Sequence, residues 1–261
     1  MSLVLLAACG QAEPSPPAPS TPAVKGELAV LSERIAARRA ELRSAKFHTE
    51  GFATDGAATE VRNTVDGVLR QDPDGIVGSF EMNIATGGSS RKIDLVVLRD
   101  GSYAHVDGAT MPAGKTWAQY TKQNGGEIAS LLRGFGPGSM AGSELDYLQP
   151  RAALVLRKAE EQLDGVPVTR YDIAVDVVKM AKLIEDPDIQ LQHTQLAEYG
   201  VTISAFAWVD ASGLPLKAEY RFEQDGKVVK SSSTRFTDWG APVEITAPPA
   251  ADTIPADQIP K

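Results

Sequence analysis

Residues 76–97, IVGSFEMNIATGGSSRKIDLVV, give the clearest indication of the fold. Apolar side chains occupy every second position over most of this stretch, which is the pattern of a β-strand with one buried face. These side chains are Ile76, Phe80, Met82 and Ile84, followed by Ile93, Leu95 and Val97. Gly87-Gly88-Ser89-Ser90 separates the two halves and is typical of a tight turn. The stretch therefore predicts two antiparallel strands with one apolar face and one hydrated face.

The same period-two pattern continues on both sides of this hairpin. It extends back to Phe47, through the turn Asp72-Pro73-Asp74-Gly75, and forward to about Met111. It returns in residues 153–162, 166–175, 201–210, 214–223 and 227–239. In the fourth of these stretches the alternation predicts one shared face for Leu216, Ala218, Tyr220 and Phe222. The chain therefore predicts a large antiparallel sheet.

Helical periodicity precedes and interrupts the strands. Residues 24–46 carry an apolar stripe that includes Leu31 and Ile35, with charged residues mostly on the other side, and predict an amphipathic helix that packs by this stripe. Residues 177–184 and 191–199 predict two short helices. Asp186-Pro187-Asp188 between them lacks the alternating oxygen ligands of a calcium loop, so we expect a turn there.

Residues 108–151 are expected to form short helices joined by a glycine-rich loop. Trp117 and Tyr120 lead towards Leu131, Leu132 and Phe135, and residues 134–142 read GFGPGSMAG. A phosphate-binding loop is excluded because this sequence lacks the Lys-Ser/Thr pair of a P-loop and the spacing of a dinucleotide fingerprint. Short apolar helices of this kind would cover one face of the sheet, and such covers often gate a cavity.

Composition and charge narrow the class of protein. The 261 residues are 43% hydrophobic, which is ordinary for a globular protein with a substantial core. The formal net charge of −8 argues against a nucleic-acid partner, which would favour a basic face. Cys9 is the sole cysteine, so the chain has no internal disulfide and no cysteine metal site.

The N-terminus predicts export and lipid attachment. Residues 2–8 form a short apolar run that ends in small residues at Cys9, and Leu6-Ala7-Ala8-Cys9 looks like the lipobox of bacterial lipoproteins. Acylated Cys9 would anchor the protein in the membrane. A membrane-spanning helix is excluded because such a helix needs about 20 apolar residues. A buried cysteine beside an unstructured start is the remaining alternative.

These features divide the chain into four parts. No Lys or Arg precedes the apolar run, so we expect residues 1–8 to be a truncated signal peptide. Residues 9–23 are expected to be the acylated cysteine and an extended tether, since residues 11–22 read QAEPSPPAPSTP. Residues 24–240 would form a single domain, and the proline-rich residues 241–261 a C-terminal tail.

The residue patterns of catalysis are missing from the sequence. His48, His105 and His193 are far apart, without an HExxH motif, and no Gly-x-Ser-x-Gly elbow occurs. We therefore predict a protein without catalytic residues, metal or cofactor. A triad assembled from distant residues stays open, because such residues are adjacent only in space.

The alternating sheet must bury its apolar face, and the cover available to it is one long helix and several short ones. If cover and sheet do not meet fully, the gap between them is an apolar cavity suited to a hydrophobic ligand. If they do meet, the core is solid. The residues alone leave both possibilities open.

A family resemblance favours the cavity. Its sequence elements are Gly101-Ser102-Tyr103 followed by Trp117, LDGVPVTRY at 163–171, WVDASGLP at 208–215 with Lys217, and FTDWGAPVEITAP at 236–248. Together with the lipobox, the tether and the order of helices and strands, they resemble the actinobacterial LppX/LprG-type envelope lipoproteins over roughly residues 24–249. The resemblance implies an α+β fold similar to LolA, in which a strongly curved antiparallel half-barrel has helices on its concave face around a hydrophobic cavity.

The resemblance also implies a function. A chain of this family would bind, and possibly transport, acylated lipids or glycolipids without catalysis, at the extracytoplasmic face of the bacterial cell membrane. Its partners would be the membrane, through acylated Cys9, the lipid and an envelope transporter, and we expect a monomer. Two alternatives stay open: a structural or interaction lipoprotein with a solid core, and a hydrolase acting on envelope lipids.

The family offers no motif for the cavity residues. The candidates therefore come from the apolar positions of the alternating strands and from the apolar segments expected to cover the sheet. The candidates on helices and their connections are Leu31, Ile35, Leu131, Leu132, Phe135 and Leu148. The candidates on strands are Phe80, Met82, Ile93, Leu95, Val97, Tyr171, Ile173, Leu216, Ala218 and Tyr220.

Overall fold

The computed structural model of the chain describes residues 26–54, 59–73, 75–121 and 142–259. The expectations for the signal peptide, Cys9 and the tether lie outside these residues, and so do those for Leu131, Leu132 and Phe135. The described helices are α1 (Glu27–Leu42), α2 (Val177–Ala181) and α3 (Pro187–Glu198), with 3-10 helices at Ser143–Tyr147, Ala250–Asp252 and Ala256–Gln258.

Twelve strands form one sheet. The first six are β1 (Ser44–Thr54), β2 (Glu60–Asp72), β3 (Gly75–Thr86), β4 (Ser89–Leu98), β5 (Gly101–Val106) and β6 (Trp117–Tyr120). The others are β7 (Ala153–Leu163), β8 (Val166–Val175), β9 (Thr202–Asp210), β10 (Pro215–Gln224), β11 (Lys227–Thr237) and β12 (Thr253–Pro255).

The sheet is curved and unclosed. Its strand order is β12-β6-β5-β4-β3-β2-β1-β11-β10-β9-β8-β7, and all neighbours are antiparallel except β12 and β6, which are parallel. Two meanders, β1–β6 and β7–β11, are therefore joined where β1 pairs with β11. The prediction of a large antiparallel sheet is confirmed, while the helices' place on a concave face stays a prediction.

One face of the sheet, here called the core face, carries the main hydrophobic cluster. Phe80 pairs with Leu95 and Met82 with Ile93 across β3 and β4, and the alternation predicted for this hairpin is confirmed. Leu28, Leu31 and Ile35 of α1 belong to the same cluster, so the predicted apolar stripe of this helix packs as expected.

The ring of Phe80 depends on two glycines of the core face. It lies over Gly78 of its own strand and Gly67 of β2, and it contacts the ring of Phe47 with 5.5 Å between centroids. A Cβ atom at Gly78 would overlap this ring. The absence of a side chain at both glycines therefore gives Phe80 its buried position.

The opposite face is not hydrated throughout, contrary to the prediction. Val77, Val96 and Tyr103 form a second buried cluster there with Ile245, which belongs to the segment after β11. The same C-terminal segment continues to β12, whose Ile254 pairs with Ala118 of β6. Part of the predicted tail is therefore packed against the sheet.

Three local predictions need correction. Trp117 and Tyr120 lie in strand β6 rather than in a helix, because this short segment pairs with β5 through Ala104 and Ala118. The first helix ends at Leu42, where Arg43 adopts a left-handed conformation (φ 66°), so Lys46 belongs to β1.

The third correction concerns Asp186-Pro187-Asp188, which starts helix α3 instead of forming a turn. The Asp186 carboxylate accepts hydrogen bonds from the backbone N–H groups of Asp188 and Ile189, and Pro187 occupies the first turn of the helix. Both features stabilise a helix N-terminus.

We predict that Gly78→Ala lowers the free energy of unfolding by about 1–3 kcal/mol, because the added methyl group overpacks the Phe80 ring. Chemical denaturation would measure the change. Asn83→Ala, at an exposed position of the same strand, serves as the control and should stay within about 0.5 kcal/mol of wild type. Equal stability of Gly78→Ala and wild type would contradict this account of the Phe80 site.

Candidate functional site

A cavity of ≈ 790 Å³ lies between the core face of the sheet and the helices. This volume is in the range of about 300–1,000 Å³ found for small-molecule sites. Its floor consists of residues from β1, β2, β10 and β11, and its cover of residues from the 3-10 helix Ser143–Tyr147, α2, α3 and their connections. The cavity therefore lies beside the β1–β11 junction that joins the two meanders.

The cover is held together by local hydrogen bonds. Asp176 accepts a hydrogen bond from the backbone N–H of Lys179 and caps α2. The side-chain amide of Gln190 in α3 donates to the carbonyl oxygens of Ala181 and Ile184, at 3.2 and 3.3 Å. These two bonds tie α3 to the end of α2, so both helices form one wall of the cavity.

The lining combines apolar and polar side chains. The apolar group comprises Phe52, Ala53, Val61, Val65, Met180, Leu183, Ile184 and Ile189. The polar and charged group includes Asn63, Asp146, Tyr147, Gln149, Arg151, Gln192, His193, Tyr220, Lys230 and Ser232. Such a lining suits a molecule that has both an apolar chain and a polar end.

A buried carboxyl group attaches the cover to the floor. Oε1 of Glu144, in the 3-10 helix Ser143–Tyr147, accepts hydrogen bonds from the hydroxyls of Ser232 (2.6 Å) and Thr234 (2.8 Å) in β11. Burial raises the pKa of Glu144, and the hydrogen bonds it accepts act in the opposite direction. Oε2 has no hydrogen-bond partner among the described residues.

A different polar contact, between His193 and Tyr147, joins α3 to the 3-10 helix. Nδ1 of His193 lies 3.0 Å from the carbonyl oxygen of Ile189, and Nε2 lies 3.3 Å from the hydroxyl of Tyr147. Burial lowers the pKa of His193, and the positive charge of Lys230 lowers it further. A neutral imidazole fits this arrangement, since Nδ1 donates to the carbonyl and Nε2 accepts from Tyr147.

The charged lining residues are Asp146, Arg151 and Lys230. Desolvation by the surrounding protein raises the pKa of Asp146 to about 6, although its side chain keeps an exposed surface and the guanidinium of Arg39 opposes this shift. Burial also lowers the pKa of Lys230. The described part of the lining thus includes two cationic side chains and one carboxylate with a raised pKa.

The structure separates the candidate cavity residues into groups. Tyr220 lines the cavity. Leu31 and Tyr171 line a second pocket of ≈ 550 Å³ between α1 and strands β7 and β8. The candidates buried in, or packed against, the main cluster without lining either pocket are Ile35, Phe80, Met82, Ile93, Leu95, Val97, Leu148, Ile173 and Ala218.

Leu216 departs from the predicted alternation. The pairing of β10 with β9 is irregular between Pro215 and Lys217, and Pro215 rather than Leu216 is fully buried. A β-bulge of this kind changes which side chains face the core. The alternation holds from Ala218 onward, where Tyr220 and Phe222 are buried.

Sequence reasoning missed the floor of the cavity on β1, β2 and β11. The sequence does contain a signal for it in β11. The side chains on the same face as Phe236 change from apolar to polar along the strand, at Thr234, Ser232 and Lys230. Polar side chains at core-facing positions are uncommon unless they have partners or line a site.

The described residues include neither a metal-binding cluster nor a membrane-spanning helix. No group of three or more His, Cys, Asp and Glu side chains there could hold a metal ion. In the same part of the chain, no helix combines the length and the apolar character needed to cross a membrane.

The chain matches no protein-family model and no curated protein. Similar solved structures include a DUF1329 family protein from Desulfovibrio piger, with 11% identity, a TM-score of 0.29 and coverage of 82% of this chain and 92% of that one. A LolA superfamily protein from Nitrosomonas europaea has 13% identity, a TM-score of 0.27 and coverage of 81% and 91%.

A porin-like protein from Bacteroides uniformis has 10% identity, a TM-score of 0.19 and coverage of 74% of this chain and 95% of that one. At these TM-scores the similarities carry no argument about family or function. The LppX/LprG-type family and its lipid ligands therefore stay predictions from the sequence.

The raised pKa of Asp146 predicts a dependence of stability on pH. The folded state binds the proton more tightly than the unfolded chain, so this stabilisation is complete below the ordinary pKa of 3.8 and is lost as the pH rises through about 6. The free energy of unfolding should therefore fall between about pH 4 and about pH 6.5, and fall less in Asp146→Asn.

Urea denaturation at both pH values would measure this dependence. Asp257→Asn, at an exposed position in the C-terminal segment, is the control and should keep the wild-type dependence. The same fall in Asp146→Asn as in wild type would exclude Asp146 as its source.

Proposed function

We propose that this chain is a membrane-anchored envelope lipoprotein that binds acylated lipids or glycolipids in the cavity, without catalysing a reaction. Acylated Cys9 would hold it at the extracytoplasmic face of the bacterial cell membrane. It would act as a monomer that receives its lipid from the membrane or from an envelope transporter. The observation that carries the proposal is the cavity of ≈ 790 Å³ between the sheet and its helical cover.

The mixed lining supports an amphiphilic ligand. An acyl chain would lie against apolar side chains such as Val65, Met180 and Ile184, and would gain about 25 cal/mol for each Å² of apolar surface removed from water. A polar head would lie near Tyr147 and His193. This division matches the two parts of an acylated lipid better than it matches a wholly apolar molecule.

One observation favours the alternative of an interaction lipoprotein. Leu154 and Leu156 of β7 are 56% and 68% exposed, at the edge of the sheet where this last strand pairs only with β8 among the described strands. Exposed apolar side chains on an edge strand are common at sites of protein contact. The two proposals differ in one measurable respect, because only the first requires a lipid in the cavity.

Native mass spectrometry of the Cys9→Ala chain, produced in a bacterium rich in envelope lipids, would test the proposed function. We predict additional mass that disappears on extraction with organic solvent. Ala53→Trp should reduce this mass strongly, because Ala53 lines the cavity and an indole would occupy the space of the lipid. Circular dichroism would verify that the variant is folded.

Ala85→Trp provides the matched control, since Ala85 is exposed on β3 and away from the cavity lining. It should keep the wild-type amount of lipid. A bare protein mass in the Cys9→Ala chain, unchanged after incubation with lipids, would exclude this proposal and favour the interaction lipoprotein.

Lipid attachment is tested separately with an alkyne-bearing palmitate analogue fed to the producing bacterium. Two lysines placed ahead of Ser2 would supply the basic segment that a signal peptide needs. We predict that the chain incorporates the label and sediments with membranes, and that Cys9→Ala does neither. Labelling of the Cys9→Ala chain would show that the acyl group is attached elsewhere.

A further inference from the structure

Lys230 is a positively charged side chain on the core face of the sheet. It lies on the same face of β11 as the buried residues Ser232, Thr234 and Phe236. In the neighbouring strands it pairs with Ala53 of β1 and Phe222 of β10. Its side chain lines the cavity. Its accessible surface therefore faces the cavity rather than the outer face of the sheet.

The partners of Lys230 are aromatic rings rather than carboxylates. Its Nζ lies 5.3 Å from the ring centroid of Phe222 and 5.8 Å from that of Tyr220, within the range of a cation–π interaction. No ion pair joins it to a carboxylate among the described residues. Desolvation by the surrounding protein lowers its pKa although the side chain keeps an exposed surface, and no negative charge among the described residues counteracts this effect.

Five other lysines of the chain have a different environment. Nζ atoms pair with a carboxylate at 2.7–3.2 Å in Lys46, Lys92, Lys158, Lys179 and Lys217. Asp146 is the carboxylate that lines the cavity together with Lys230. The charged groups that act on Asp146, however, are Arg39 and Glu144. Among the described residues, Lys230 thus lines the cavity without a carboxylate partner.

Lys230 is an exposed cation that lines a partly apolar cavity and has no carboxylate partner among the described residues, so it is available to pair with an anion there. A bound anion would form a charge-assisted hydrogen bond with this ammonium group, and an apolar chain that displaces water from the cavity would strengthen the bond. Arg151, also on the lining, adds a second positive charge. Burial lowers the pKa of His193, which disfavours a positive charge on this imidazole.

We propose that the cavity selects amphiphiles with an anionic head, and that the ammonium group of Lys230 forms a salt bridge with that head. This inference rests on the proposed lipid-binding function and specifies its ligand class. The shared chemistry is an acyl or alkyl chain that ends in a carboxylate or a phosphate. The acyl or alkyl chain packs against the apolar lining, while the head meets Nζ of Lys230 and the nearby hydroxyl group of Tyr220.

The test compares ligands that have the same chain and different heads. Isothermal titration calorimetry would measure the binding of dodecanoate, dodecyl phosphate and the neutral dodecanol to the Cys9→Ala chain at a single pH and salt concentration. We expect at least one anionic ligand to bind about tenfold or more tightly than dodecanol, a factor that corresponds to about 1.4 kcal/mol. Which anion binds more tightly distinguishes a fatty-acid carboxylate from a phosphate head.

Three variants assign the preference to Lys230. Lys230→Met keeps the length of the side chain and should reduce the preference for anions to less than about twofold, because it removes the charge while filling the same space. Lys230→Arg keeps the charge and should retain most of the preference. Lys227→Met, at an exposed position of the same strand, should bind like wild type.

The outcomes separate this inference from the proposed function. Equal binding of anionic and neutral ligands by wild type, or an unchanged preference in folded Lys230→Met, would overturn the role of Lys230 and leave lipid binding in place. Failure of all three ligands to bind would overturn both. Circular dichroism would establish that Lys230→Met is folded, which we expect because the substitution removes a charge that lacks a partner.

Discussion

The position of the cavity depends on the hydrogen bonds between Glu144 and β11. The two hydroxyls that donate to Oε1 lie on the core face of the sheet, so the 3-10 helix carrying Glu144 is held against β11 at one defined place. Thr234 also shares a hydrogen bond of 2.7 Å with Thr49 of β1. The contact therefore connects the cover of the cavity with both strands at the junction of the meanders. Since buried polar groups are costly without partners, this network favours one arrangement of cover and floor.

The two halves of the core face differ in the polarity of their side chains. The apolar half forms the packed core, and the polar half forms the floor of the cavity. On β3 and β4 the core-facing side chains are apolar, and they interlock with one another and with the glycines beneath Phe80. On β1 and β11 they include threonines, serines and a lysine, which an apolar helix cannot cover without leaving polar groups unpaired. A solid hydrophobic core is therefore stable on the first half, whereas a cavity with a polar floor is compatible with the second.

The same difference explains what the sequence could predict. Alternation in residues 76–97 is unambiguous because one parity is apolar and the other mostly polar, and the structure has that face buried. In β11 both faces of the strand carry polar side chains, so periodicity cannot identify the inner face. One face has Ser232 and Thr234, and the other has Ser231, Ser233 and Arg235. The pairing of β1 with β11 joins residues far apart in the chain, and no local pattern encodes it. Periodicity consequently favours candidate cavity residues on the strands with the clearest alternation, and most of these residues form the packed core.

The strand order also has a consequence for how the chain folds. Thr49 and Thr234 are 185 residues apart, and β12 near the C-terminus pairs with β6. The first meander therefore remains without its β11 neighbour and its final edge strand until almost the whole chain is available. Non-local pairings of this kind slow folding, because the entropy of closing a long loop is lost before the contacts form. Completion of the sheet is thus expected to be a late, slow event, and the polypeptide would stay open for most of its synthesis.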